Sequence, residues 1–186
     1  MRFRDAILSL SFLLSFVFSY AQETETQHKV GIEIPEVALL GLASENSPNV
    51  NINFTAPQQA GNPVDISGIQ NENIWLNYSS IVSGSEHRRK IVAMVEGEIP
   101  EGVQIKVEAS EAVGSGKGKT GEPAGAVTLS AEPTEVIVNI GSCFTGKGSS
   151  NGHYLTYKVE TDESFKNYPL STLENASIHV VYTLTD

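Results

Sequence analysis

The residues whose types suggest chemistry are few and stand far apart. Gly114-Ser115-Gly116-Lys117-Gly118-Lys119-Thr120 closes on Gly-Lys-Thr, as a phosphate-binding loop does. That motif also needs a glycine where this chain has Val113, and a helix directly afterwards, which Gly121-Glu122-Pro123 forbids. The stretch therefore reads as a solvated, mobile loop extending to Gly125. His28, His87, His153 and His179 fall in separate segments with no metal-ligand spacing between any two. Glu96, Glu98 and Glu101 have the chemistry of a glycosidase carboxylate pair, but carboxylates on the polar face of a strand are ordinarily just solvated. No Gly-x-Ser-x-Gly elbow is present, and Ser142 beside Cys143 has no neighbouring base in sequence. No catalytic, cofactor-binding or metal-binding residue is assigned, and the chain reads as a non-enzyme.

Two kinds of binding chemistry are weighed beside catalysis. Trp75 with Tyr78, and Tyr154 with Tyr157, would form an aromatic platform for a sugar if their rings shared one exposed face. Alternation along a strand puts the two members of each pair on opposite faces, so at least half of these rings belong to a core. Asn53, Asn77 and Asn175 open Asn-x-Ser/Thr sequons, which matter only in a eukaryotic secretory pathway.

The elements that would carry these groups are strands. Val30, Ile32 and Ile34 alternate with small or polar neighbours up to Pro35, and Val50, Ile52 and Phe54 alternate with asparagines up to Pro57. Between them Val37 to Leu42 is an apolar run too short for a stable helix. Further strands are expected at Ile74 to Tyr78, Ile91 to Val95 and Val103 to Ala109, the last two joined as a hairpin by Ile99-Pro100-Glu101-Gly102. Val127 and Leu129 form a short strand, and Val136, Val138 and Ile140 alternate with polar partners. After a turn from Gly146 to Gly152, Leu155, Tyr157 and Val159 face inward; Ile178, Val180, Tyr182 and Leu184 close the chain. Such short strands at regular spacing, with no amphipathic helix, predict an all-β fold. The expected architecture is an immunoglobulin-like antiparallel β-sandwich, with a small β-barrel as the alternative. Substituting a polar residue for inward Val138 or Ile140 is expected to unfold it.

The start of the chain marks it for export. Arg2 and Arg4 precede an apolar run from Ala6 to Phe18, and Ser19-Tyr20-Ala21 presents small residues at the positions a signal peptidase reads, which predicts cleavage after Ala21. The run falls short of the roughly 20 apolar residues that a spanning helix needs, and no second one follows. Residues 1–21 are thus a signal peptide and 22–186 a single domain, secreted, periplasmic or on the cell surface. The lone cysteine, Cys143, lies far from any lipoprotein position and has no internal disulfide partner, so burial as a small apolar side chain is expected. The formal net charge is −10, one unit more negative once Arg2, Arg4 and Asp5 are removed, and such a surface repels nucleic acid.

Three stretches carry a family resemblance. Trp75 to Ser80, Ile140 to Gly146 followed by Gly152 to Tyr157, and the closing strand Ala176 to Asp186 resemble secreted bacterial immunoglobulin-like proteins of the fimbrial-subunit and spore-coat-U-like type. The resemblance implies a structural or adhesive surface protein whose subunits assemble by strand exchange, an N-terminal segment of one completing the sheet of the next. Val30 to Leu42 is the matching segment here, either donated to another subunit or kept as the domain's own first strand. Many fimbrial subunits carry a disulfide that this chain lacks. The partners implied are further copies or other envelope proteins. A secreted carbohydrate-binding module with a glycan partner, and a glycoside hydrolase, are the alternative functions weighed.

Overall fold

A computed structural model describes residues 25–45, 47–52, 58–62, 69–70, 74–162, 164–165 and 178–186. The expected signal peptide, the sequons at Asn53 and Asn175, and the strand residues expected around Phe54 lie outside the described residues. Two compact units divide the chain, Met1–Ile34 and Pro35–Asp186.

In the second unit the described residues are almost entirely antiparallel strand, with no α-helix. The strands are β1 (Val37–Ala43), β2 (Asn51–Ile52), β3 (Ile69–Gln70), β4 (Ile74–Ile81), β5 (Arg89–Glu96), β6 (Val103–Ala109), β7 (Lys117–Pro123), β8 (Val127–Thr128), β9 (Thr134–Phe144), β10 (His153–Thr161) and β11 (His179–Thr185). β2 and β3 make a separate two-stranded ribbon. The other nine form one sheet that doubles over into two layers, β8-β6-β10-β4-β1 and β11-β5-β9-β7. The layers join where the end of β9 meets β4, Cys143 opposite Ser80 and Phe144 opposite Ser79. The sheet stays open, an all-β sandwich and not a closed barrel.

Alternation explains the core. On β4, Ile74, Leu76 and Tyr78 point inward, and Leu155, Tyr157 and Val159 do so on β10. They meet Ile91, Ala93 and Val95 of β5 and Val136, Ile137 and Ile140 of β9 in one apolar cluster. At roughly 1.5–3 kcal/mol per buried aliphatic side chain, this face-to-face contact is the main favourable term, as no disulfide contributes. Tyr157 and Tyr182 bridge the layers with a 2.7 Å contact between their hydroxyls.

Four expectations change. Val30 to Ile34 is not a strand: it is exposed and unpaired, and the position beside β4 is filled by β1, the run from Val37. β1 pairs with β4 along its whole length, Val37 opposite Ile81 and Ala43 opposite Trp75, so this half of the Val30 to Leu42 segment is the domain's own strand. The turn at Pro100 does form, with the Val103 amide donating to the Pro100 carbonyl at 3.0 Å, but it joins no hairpin. β5 already has β11 and β9 on its two edges, so the turn carries the chain across to the other layer. Residues 117–123 are strand β7, bound to β9, where a loop was expected. Gly118 and Gly121 adopt φ of +92° and +82°, and a Cβ on Gly118 would lie 2.3 Å from the Ser142 carbonyl oxygen. Glycine lets two backbones approach where there is no apolar pattern to read. Finally, Val138 is only half-buried, because β9 buries Val136 and Ile137 in succession and Asn139 takes φ 60°, shifting the alternation before Ile140.

Candidate functional site

One end of the sandwich carries a network of side-chain hydrogen bonds. Asn77 on β4 donates to the Asn151 carbonyl at 2.7 Å and accepts from the Gly148 amide at 3.0 Å. Asn151 accepts from the amide and hydroxyl of Ser115, both at 2.9 Å, and so staples the 145–152 turn to the chain leading into β7. Val113 and Gly152 form a bridge between the same segments. Asn77, read as a sequon, is thus committed at both ends of its amide to holding this turn.

Below the staple lies His153, fully buried. Its Nδ1–H donates to the Ser110 carbonyl at 2.7 Å, and its Nε2 sits 2.7 Å from the Tyr78 hydroxyl, which also contacts the Thr120 carbonyl of β7. Burial lowers the imidazole pKa and raises that of Tyr78. Cys143 is buried and free, and desolvation pushes its thiol up to about 11, so it holds almost no thiolate at neutral pH. A neutral histidine, a protonated phenol and a protonated thiol, all out of solvent, make a structural linkage between layers. The recess nearest to them measures about 100 Å³ and is lined by Gly114, Gly116, Gly118, Thr120 and Thr145. Ligand pockets ordinarily start near 300 Å³.

The remaining sequence candidates are dispersed. Lys117, Lys119 and Thr120 lie on β7, a strand, where no phosphate-cradling loop and no following helix exist. Glu96, Glu98 and Glu101 are exposed around the end of β5 and the turn after it. Ser142 accepts a bond from the Val82 amide at 3.1 Å. His87 pairs with Asp186 at 3.2 Å, while His28 and His179 are exposed. Among the described residues no three of His, Cys, Asp and Glu gather as metal ligands. The aromatic residues split as alternation requires: Tyr78 and Tyr157 are buried, whereas Trp75 and Tyr154 pair on the outer face, ring centroids 5.3 Å apart and planes at 60°.

Arg89 carries a role that the sequence reading missed. It is 7% exposed and lies at the start of β5, in phase with Ile91, Ala93 and Val95, so alternation already aims it inward. Its guanidinium donates to Asp186 Oδ1 at 3.0 Å, to the Ile81 carbonyl at 3.2 Å and to the Val37 carbonyl, with Glu36 Oε2 at 3.5 Å. One buried cation thereby fastens the first residues of β1, the end of β4 and the end of β11 at a single corner. The Arg89 guanidinium holds the Asp186 carboxyl below its ordinary pKa, and hydrogen bonding from Ser83, with Arg89 adding a smaller part, does the same for Glu36. An open groove of about 290 Å³ beside it is lined by Arg88, Arg89, Lys90, Glu135, Val138, Asn139 and Asp186; Lys90 and Glu135 are paired across it at 2.9 Å.

Upstream of that corner the side chains change character. Val30, Ile32 and Ile34 are 69%, 85% and 70% exposed, all at one parity of an unpaired segment. Val or Ile left in water at three alternate positions forgoes roughly 1.5–3 kcal/mol of burial each. The segment has the side-chain pattern of a strand and, among the described residues, none of a strand's partners. Among the described residues, no helix is long and apolar enough to cross a membrane. No family model, curated protein or solved structure matches the chain.

Proposed function

We propose that this chain is an exported, non-enzymatic structural or adhesive protein of the bacterial envelope or surface. Its extended segment, residues 29–34, completes the sheet of another subunit or envelope protein. The observation that supports this reading is the exposed alternation of Val30, Ile32 and Ile34, ended by Pro35, ahead of a first strand that already has its partner. An added strand gains main-chain hydrogen bonds along its length and buries every second side chain. Cleavage after Ala21 would leave this segment close to the new N-terminus. The resemblance to fimbrial-subunit and spore-coat-U-like proteins points the same way.

Sedimentation of the protein from Gln22 onward, beside a variant lacking residues 22–34, tests the reading. Concentration-dependent assemblies larger than a dimer are expected only with the segment present, with equal melting temperatures for both proteins at low concentration. Assemblies that persist unchanged without the segment would contradict it.

A second reading rests on Trp75 and Tyr154, the two rings on the outer face. Rings tilted this way can pack against the apolar face of a pyranose, which is how a carbohydrate-binding module would use them. A glycan array should give a signal that falls at least tenfold in Trp75→Ala and Tyr154→Ala proteins. No signal, or one indifferent to both changes, removes this reading.

A further inference from the structure

The nine-stranded sheet has four edges among the described residues, and two are blunted against further pairing. β7 carries Lys117 and Lys119, two glycines at positive φ and Pro123. β8 is two residues long. β11 is not blunted, but its Val180, Val181, Tyr182 and Leu184 are all partly buried, so it presents no exposed apolar side chain. Charges, kinks, prolines and shortness are the usual means by which a sheet edge avoids its own kind. β1 has none of them. Its seven residues, Val-Ala-Leu-Leu-Gly-Leu-Ala, include no charge, no proline and no residue at positive φ, and among the described residues β4 is its only strand partner. Leu39 and Leu42 are 65% and 44% exposed. By register Leu42 lies opposite fully buried Leu76, so even the core-facing side of β1 stays incompletely covered.

We infer that β1 pairs edge to edge with the β1 strand of a second copy, antiparallel and two-fold symmetric about Leu40, joining two sandwiches through one continuous layer. The strand is complementary to itself in that register. Leu40 meets its own copy on the axis; on either side Leu39 meets Gly41 of the second copy, Leu42 meets Ala38, and Val37 meets Ala43, so off the axis each larger side chain lies opposite a smaller one, and each of these pairs occurs twice. Nothing lies within 4 Å of a Cβ built on Gly41, which leaves room for the incoming leucine. Beyond the strand Glu36 meets Ser44 and Pro35 meets Glu45, so no like charges are opposed. A two-fold interface that matches a surface to itself closes after two copies, unlike the head-to-tail contact of segment 29–34 with another subunit. The inference stands apart from the function proposed above.

Sedimentation equilibrium of the protein from Gln22 onward, of the form lacking residues 22–34 and of Leu39→Lys separates the two contacts. Expected are dimers from the form lacking residues 22–34, dimers that associate further with rising concentration from the protein that keeps them, and a dimer dissociation constant at least tenfold weaker for Leu39→Lys. Mixed Leu39→Cys and Gly41→Cys proteins, oxidised with diamide, should cross-link to each other in greater yield than either does alone. A monomer at the highest soluble concentration, or an undiminished Leu39→Lys dimer, overturns the inference. So does cross-linking indifferent to mixing. Association lost with residues 22–34 but kept in Leu39→Lys overturns it too, while leaving the proposed function standing. If Leu39→Lys fails to fold, the cross-linking result decides.

Discussion

Ile140 is fully buried and Val138, two residues earlier on the same strand, is not. Strict alternation gives them the same face; the φ of 60° at Asn139 and the doubled burial at Val136 and Ile137 break it. Replacing Ile140 with alanine should cost about 2–5 kcal/mol in a urea titration, and replacing Val138 less than about 1.5 kcal/mol. Equal losses would mean that β9 is phased differently. Such bulges are set by tertiary pairing and leave no mark in a hydropathy pattern, so this error was built into a reading by periodicity. Arg89 is the opposite case. Its in-phase position with Ile91, Ala93 and Val95 was legible, and a buried cation there implied partners nearby. Only the fold identifies them, because Glu36, Ile81 and Asp186 are far apart in sequence.

His153 gives a pH dependence whose sign follows from its burial. The folded pKa lies below the ordinary 6.5, so on acidification the unfolded chain takes up the proton first. The stability contributed by neutral His153 is complete above about pH 6.5 and is lost as pH falls through the folded value. Melting temperature should therefore drop between about pH 7 and pH 5, and a His153→Gln protein should be less stable at neutral pH with a flatter profile across that window. A wild-type profile as flat as the variant's would show that the imidazole titrates as if exposed.

Among elements, those with apolar alternation were legible and those built on backbone alone were not. Val103 to Ala109 coincides with β6 because each inward residue there is branched or apolar and a Pro-Gly turn marks its start. β7 has no such residue; it is held by pairing to β9 and by the Tyr78 contact with Thr120. Its glycines are its signature, and glycine also marks loops, so sequence could not separate the two. Gly118→Ala should destabilise the domain more than Gly125→Ala, although both have positive φ, because only at Gly118 does the new Cβ meet backbone. Strain at positive φ accounts for about 1–2 kcal/mol in each, and the collision with Ser142 adds to the first. Thermal denaturation of the two variants checks this; a Gly118→Ala protein no weaker than Gly125→Ala would show that β7 does not lie against β9. The turn at Pro100 was also legible, but not its destination, since pairing is decided by which strand edges remain open.

For the whole molecule, the corner at Arg89 secures the two edge strands β1 and β11 together. Arg89→Ala leaves the Val37 and Ile81 carbonyls without their shared donor, while the exposed carboxylates of Glu36 and Asp186 return to water, and should cost about 1–3 kcal/mol by denaturant titration. Loss of less than about 1 kcal/mol would place the guanidinium in solvent. The layered all-β fold was legible in the sequence. Sequence alone left open whether Val30 to Leu42 is one element or two, because the same alternation serves a strand paired within its own domain and one awaiting a partner. The division at Pro35 belongs to the fold. The measurement that bears most directly on this division is residue-resolved hydrogen exchange on dilute and assembled protein from Gln22 onward. Amides of residues 29–34 should exchange at unprotected rates when dilute and gain at least tenfold protection on assembly, while those of β1 that bond to β4 stay protected throughout. Protection of residues 29–34 in the isolated monomer, or none gained on assembly, would contradict the account.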